Sequence, residues 1–131
     1  MMDVEAVAAG LAAAARVVSG VNAYPQLPLS ITEPAFAPVD WEMTTSNGCA
    51  ETLRVTCAVL VGRVDDENAA AALYAYARLD GDKSLPAALE ADPTLGGVCS
   101  DLVVTTRRMP RVFTVGQTDY LAAEIVAEID G

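Results

Sequence analysis

A chain of 131 residues with 53% hydrophobic residues is enough for one domain with its own core, without metal or disulfide staples. Only 5% of the residues are aromatic, so that core is made mainly of Ala, Val and Leu. A formal net charge of -10 argues against a general nucleic-acid surface, and the absence of histidine removes Ser-His-Asp and Cys-His catalysis as well as histidine zinc sites.

In residues 3–19, Val4, Val7, Ala8, Leu11, Ala15 and Val18 form one helical stripe, with Asp3 as N-cap and Gly20 as the stop. Its apolar face must dock on a sheet or a neighbour. The apolar run from Ala6 to Val18 is shorter than the roughly 20 residues a bilayer needs, and Arg16 interrupts it. Asp3 and Glu5 stand where a signal peptide carries positive charge, so the expectation is a soluble protein that stays where it is made, with no membrane contact.

Residues 21–50 are punctuated by Pro25, Pro28, Pro34 and Pro38, which suit edge strands and loops. Leu27, Leu29 and Ile31 alternate with Pro28, Ser30 and Thr32 and predict one short strand. Val39, Trp41 and Met43 alternate with Asp40, Glu42 and Thr44 and predict a second. Asn47-Gly48 is a turn signal joining it in a hairpin to the next strand. Trp41 either closes the core or stands exposed as an interface anchor.

The chain is organised around residues 51–99. Leu53, Val55, Cys57, Val59 and Val61 share one face of a long strand, while the other runs Thr52, Arg54, Thr56, Ala58, Leu60. That strand starts half wet and ends buried on both sides, which predicts a central position covered at one end by the helix that follows. Asp65 or Asp66 caps this helix, and Ala69, Ala72, Leu73, Tyr76 and Leu79 form its inner stripe. Asp80-Gly81-Asp82-Lys83 is a solvated turn that lacks the ligand series of a calcium loop. Residues 85–91 predict a short helix with Pro86 in its first turn, and Gly96-Gly97 a turn without a P-loop lysine. No metal or cofactor is expected. Cys49, Cys57 and Cys99 are odd in number and lack CxxC spacing, so reduced thiols are expected.

Residues 101–115 and 120–129 read as a hairpin turning at Gly116-Gln117-Thr118-Asp119. Leu121, Ala123, Ile125, Ala127 and Ile129 share its buried face, opposite Glu124 and Glu128. Pro110 predicts a bend, bulge or edge, and beside it stand Arg107, Arg108 and Arg111, three of only eight cations. They form either a solvated arm or an ion-pairing contact with an acidic partner. The order of elements gives an α+β domain over residues 1–131, a mostly antiparallel sheet with helices packed on one face. No catalytic constellation emerges.

The run ALEADPTLGGVC at residues 88–99, Val59-Leu60-Val61-Gly62-Arg63 before the helix, and Tyr120-Leu121-Ala122-Ala123-Glu124 in the last strand resemble the tail terminator family of long-tailed bacteriophages, also labelled tail completion or minor tail proteins. The likeness covers the order of elements along nearly the whole chain, though residues 1–50 match in layout more than in letters. The resemblance implies a virion protein assembled in the host cytoplasm, with an antiparallel sheet flanked by helices. It would form a ring of itself, commonly of six copies, that caps the tail tube, ends polymerisation of the tube protein and docks the head-tail connector or neck proteins. A sixfold multiple of the acidic charge would let DNA pass through the lumen without sticking. Two contact regions are expected. One is the hairpin tip with Met43, Thr44, Thr45, Ser46, Asn47 and Gly48, next to Trp41; the other is the arm of Arg107, Arg108 and Arg111. Alternatives are a head-closure connector subunit, a small soluble acidic protein-binding module, and an enzyme using converging carboxylates such as Glu42, Asp65 and Asp101.

Overall fold

The structure, a computed structural model, describes residues 3–46 and 50–131. Helix α1 (Val4–Ala15) begins where Asp3 Oδ1 accepts hydrogen bonds from the Glu5 and Ala6 N–H groups, satisfying two of the donors left free at a helix start. Strand β1 (Asn22–Ala23) is short and pairs parallel with β2 (Ala35–Ser46). β2 turns back into β3 (Ala50–Arg63), as the hairpin reading expected. Helices α2 (Ala69–Ala77) and α3 (Leu85–Glu90) follow, then a 3-10 turn at Leu95–Gly97, and finally the hairpin β4 (Asp101–Val115) and β5 (Thr118–Asp130). The sheet order is β1-β2-β3-β5-β4, antiparallel except at β1. The mixed architecture is therefore five strands with three helices on one face.

The period-two pattern of β3 sets the layers. Leu53, Val55, Cys57 and Val59 meet Ala123, Ile125, Ala127 and Ile129 of β5 and the inner residues of the helices, Leu11, Leu73 and Leu89, in one dry cluster. Ala58 and Leu60 belong to a smaller cluster on the opposite face with Val115 and Ala122. No helix contributes to this second cluster; Leu27, Ile31, Val39, Phe113 and Tyr120 pack against it. The expectation that the following helix explains burial on both sides of β3 is corrected. α2 lies on the first face, and the segment after β1 dries the second.

That segment is the main departure from expectation. Residues 27, 29 and 31 do not form a strand. Leu27 and Ile31 turn inward while Leu29 is 95% exposed, so the alternating positions do not share a face. Pro25 and Pro28 carry no N–H for a ladder, and the Asn22 side chain holds the segment instead by donating to Thr32 O at 2.9 Å. The strand that pairs at this end is β1.

Helix α2 starts later than expected, with Asn68 as N-cap and no side-chain cap bond. Asp66 organises the turn before it, Oδ1 accepting from Asn68 N–H at 2.9 Å. Leu79 lies beyond the helix and is 61% exposed, outside the stripe assigned to it. Ser84 caps α3 by accepting from Ala87 N–H, while its hydroxyl donates to Arg78 O. The β4–β5 turn is tighter than expected, with Val115 already paired to Thr118 around Gly116 at φ +63°.

Candidate functional site

The β2–β3 hairpin outruns the rest of the sheet. The last β3–β5 rung is Thr52↔Asp130, whereas Thr45↔Glu51 and Ser46↔Ala50 continue the ladder beyond it. Met43, Thr44 and Thr45 are exposed. Asn47, Gly48 and Cys49, at the expected tip, lie outside the described residues. Trp41 stands at the root of this arm, half-buried against the helix-face core, and so takes the core-closing role in part.

The three arginines separate. β4 has register shifts between Val104 and Thr106 and between Arg108 and Arg111, the second spanning Pro110, which accords with the expected bulge. These shifts send Arg107 to the helix face, where Nη1 donates to Ala77 O at 3.0 Å, at the carbonyl end of α2. A cation there complements both an orphan carbonyl and the helix dipole. Arg108 and Arg111 lie on the opposite face and share Glu124, at 3.8 and 3.3 Å. The sequence reading placed Glu124 on that face without finding it as their partner, because alternation shows a face but not a rung.

Around them the uncovered half of the sheet is polar. Asp40 pairs with Thr56 in register, Glu42 with Arg54, and Arg54 with Glu128 on its other side. Asp40, Glu42, Arg54, Thr56 and Arg108 line a groove of about 220 Å³. Glu42, Asp65 and Asp101, the carboxylates of the enzyme reading, do not converge. Glu42 faces Arg54 and Asp101 faces Asp130, while Asp65 lies past Arg63, nine strand residues from Arg54 and about 30 Å along β3. Asp65 pairs instead with Arg63 at 3.7 Å, and Asp80 with Arg78 at 3.3 Å. Among the described residues no group of three or more His, Cys, Asp or Glu could hold a metal ion, and no helix is long and apolar enough to cross a membrane.

Among the described residues three groups titrate away from their ordinary range, burial being the first cause in each. The Cys57 thiol, fully enclosed, is pushed up to about 12. Cys99 is raised first by burial and then by the charge of Asp92, and Tyr76 by burial alone, with Lys83 Nζ 5.8 Å from its ring centre. Cys57 and Cys99 are free and buried, so neither is placed as a nucleophile. No family model matches the chain, and no curated protein matches it.

Proposed function

We propose that this chain is a structural protein of a long-tailed phage virion, a ring-forming terminator that caps the tail tube, stops its polymerisation and presents the docking face for the neck of the head. The observation that carries this reading is the β2–β3 arm, whose Thr45↔Glu51 and Ser46↔Ala50 rungs lie past the end of the β3–β5 ladder, and whose Met43, Thr44 and Thr45 are exposed on the approach to its tip. Gly131 N–H donates to Glu51 O at 3.1 Å and steadies the first of these rungs, beyond which only two strands pair, an arrangement that gains stability from a partner. In a ring such an arm reaches a neighbour or the last tube subunit. The sequence likeness at residues 59–63, 88–99 and 120–124 supports the same reading, as does the match between the five-stranded sheet, helices on one face, and the architecture that likeness implies. The acidic balance of the chain suits a lumen through which DNA slides.

The test is immunogold electron microscopy of purified phage particles and of separated tails. Gold at the head-proximal end of isolated tails is the expected result. Label that leaves with the heads reassigns the chain to the connector side, and absence of the protein from denatured particles removes the virion reading altogether. Charge reversal of Arg108, on the face away from the helices and clear of the α2 end that Arg107 holds, is expected to block tail joining while the monomer stays folded; unchanged joining would take Arg108 out of the contact.

A further inference from the structure

The sheet has two open edges of opposite charge. β4 bounds one side. On the other side, β1 pairs with Ala35 and Phe36, Ala37 and Pro38 are buried, and β2 is an edge from Asp40 onward, with Asp40 and Glu42 exposed; Asp40 Oδ1 there accepts from Trp41 N–H at 3.1 Å, a local bond that a joining strand replaces. β4 carries Arg107, Arg108 and Arg111. Because each of the pairs β2–β3, β3–β5 and β5–β4 is antiparallel, β2 and β4 run in opposite directions. Copies related by rotation about an axis along the strands therefore bring β4 of one against β2 of the next in antiparallel sense.

We propose that a second copy of this chain adds to the sheet in that way, β4 edge to β2 edge, head to tail. This deepens the ring reading above and rests on it for closure of the ring. Two further features fix the register. Each edge has one proline, Pro110 on β4 and Pro38 on β2, and a proline gives no N–H to a ladder. Setting Pro110 against Pro38 costs the ladder least. Each edge has one register irregularity beside its proline, between Pro38 and Asp40 on β2 and between Arg108 and Arg111 on β4, and the two offset each other, which leaves Arg108 opposite Asp40, both on the face away from the helices, and Arg107 opposite Trp41, both on the helix face. At the other end, Glu90 Oε2 accepts from Val104 N–H at 3.1 Å and closes the edge, so the joining segment is residues 105–108. The same charges disfavour the symmetric pairings: β4 on β4 sets arginine near arginine, β2 on β2 carboxylate near carboxylate, and like charges across strands repel. Only the heterologous contact, the kind that closes into a ring, matches opposite signs.

Disulfide trapping reads this contact. In the chain carrying Cys49→Ser, the pair Glu42→Cys and Thr106→Cys, the next rung of this register, which leaves Asp40 and Arg108 in place, is oxidised at high protein concentration and resolved by non-reducing electrophoresis. The expected result is a ladder of dimers, trimers and larger species, lost on reduction. Either single variant gives dimers at most, and Met43→Cys with Arg108→Cys, which lie on opposite faces, gives no ladder. Dimers alone from the matched pair, or no product, overturn the edge contact. The ladder needs no phage particle, so its failure is separable from failure of the tail reading. Gold on tails without a ladder removes this contact alone, and a ladder without gold removes the tail assignment alone.

Discussion

Between Leu53 and Leu60 one strand meets two solvents. On the helix side, Leu53, Val55, Cys57 and Val59 are no more than 1% exposed, because three helices close over this central stretch of the sheet. On the other side the same strand is buried only at Ala58 and Leu60, where the proline-rich segment after β1 lies across it, and turns polar at Thr56 and Arg54. The comparison shows that helices dry one face and a loop half of the other. What that loop leaves open is the charged surface of Asp40, Glu42, Arg54 and Glu128 on which the proposed contacts border. A face wetted by design tolerates assembly on its edges, whereas a fully dry face has no exposure left to lose.

The largest effect is expected from cutting into the dry face. Ile125→Ala removes a fully buried side chain from the middle of β5 and should cost about 3 to 4 kcal/mol in urea or thermal unfolding. Ile31→Ala on the loop-covered face, where the side chain is half-buried, should cost about 1 kcal/mol. Equal losses would mean that the loop is as integral to the core as the helices, and the contrast between faces would fail.

Gly10→Ala probes how tightly the helices close. Alanine gains about 1 kcal/mol of helix propensity over glycine. Here, however, an added Cβ would meet Leu95 Cβ at 2.9 Å and Leu95 O at 3.3 Å, against a residue that is 3% exposed and held at φ 49° in the 3-10 turn. Overpacking of this kind costs about 1 to 3 kcal/mol, and the contact involves backbone and Cβ rather than a flexible tip. Net destabilisation of about 1 kcal/mol is expected; a stabilised variant would show that α1 rides loosely on that turn.

Much of this division was legible in the residues. The alternation of β3 and β5, the Asp3 cap and Pro86 at the start of α3 each follow from local periodicity or capping chemistry, which do not depend on distant partners. Residues 27–31 misled because alternating apolar residues broken by prolines satisfy a strand pattern and a draped loop equally well; only the presence of Ala58 and Leu60 beneath them decides. The arginine arm misled for another reason. A bulge shifts side-chain parity by one, and one of the two irregularities of β4 falls between Arg107 and Arg111, so these residues, four apart, end on opposite faces. Counting along a strand cannot reveal where its partner skips a residue.

Cys57 offers a titration of the dry face. Its folded pKa is raised from about 9 to about 12 by burial, so the neutral thiol is common to both states below pH 9 and contributes no pH dependence there. Above pH 9 the unfolded chain ionises first, and stability falls by about 1.4 kcal/mol per pH unit until the folded thiol itself titrates. The stability difference between wild type and Cys57→Ala, measured at pH 8 and pH 10, should therefore shift by about 1.4 kcal/mol against the wild type. The thiol should stay silent to thiol reagents until the protein unfolds. A flat difference would mean that water reaches the middle of β3.

The smallest effect is expected on the wet face. Arg111 and Glu124 lie 3.3 Å apart, with side chains 48% and 20% exposed, and Arg108 competes for the same carboxylate at 3.8 Å. Solvent screens such a pair, and losing one of two arginines leaves Glu124 with the other, so Arg111→Ala should change stability by less than about 0.5 kcal/mol. The double variant Arg108→Ala with Arg111→Ala strands a half-buried carboxylate and should cost more than the sum of the singles, the excess shrinking as salt is added. Additive losses would mean that Glu124 draws its stability from water rather than from the arginines. In that case both guanidinium groups would be free to meet a partner's carboxylates without first giving up a bond of their own.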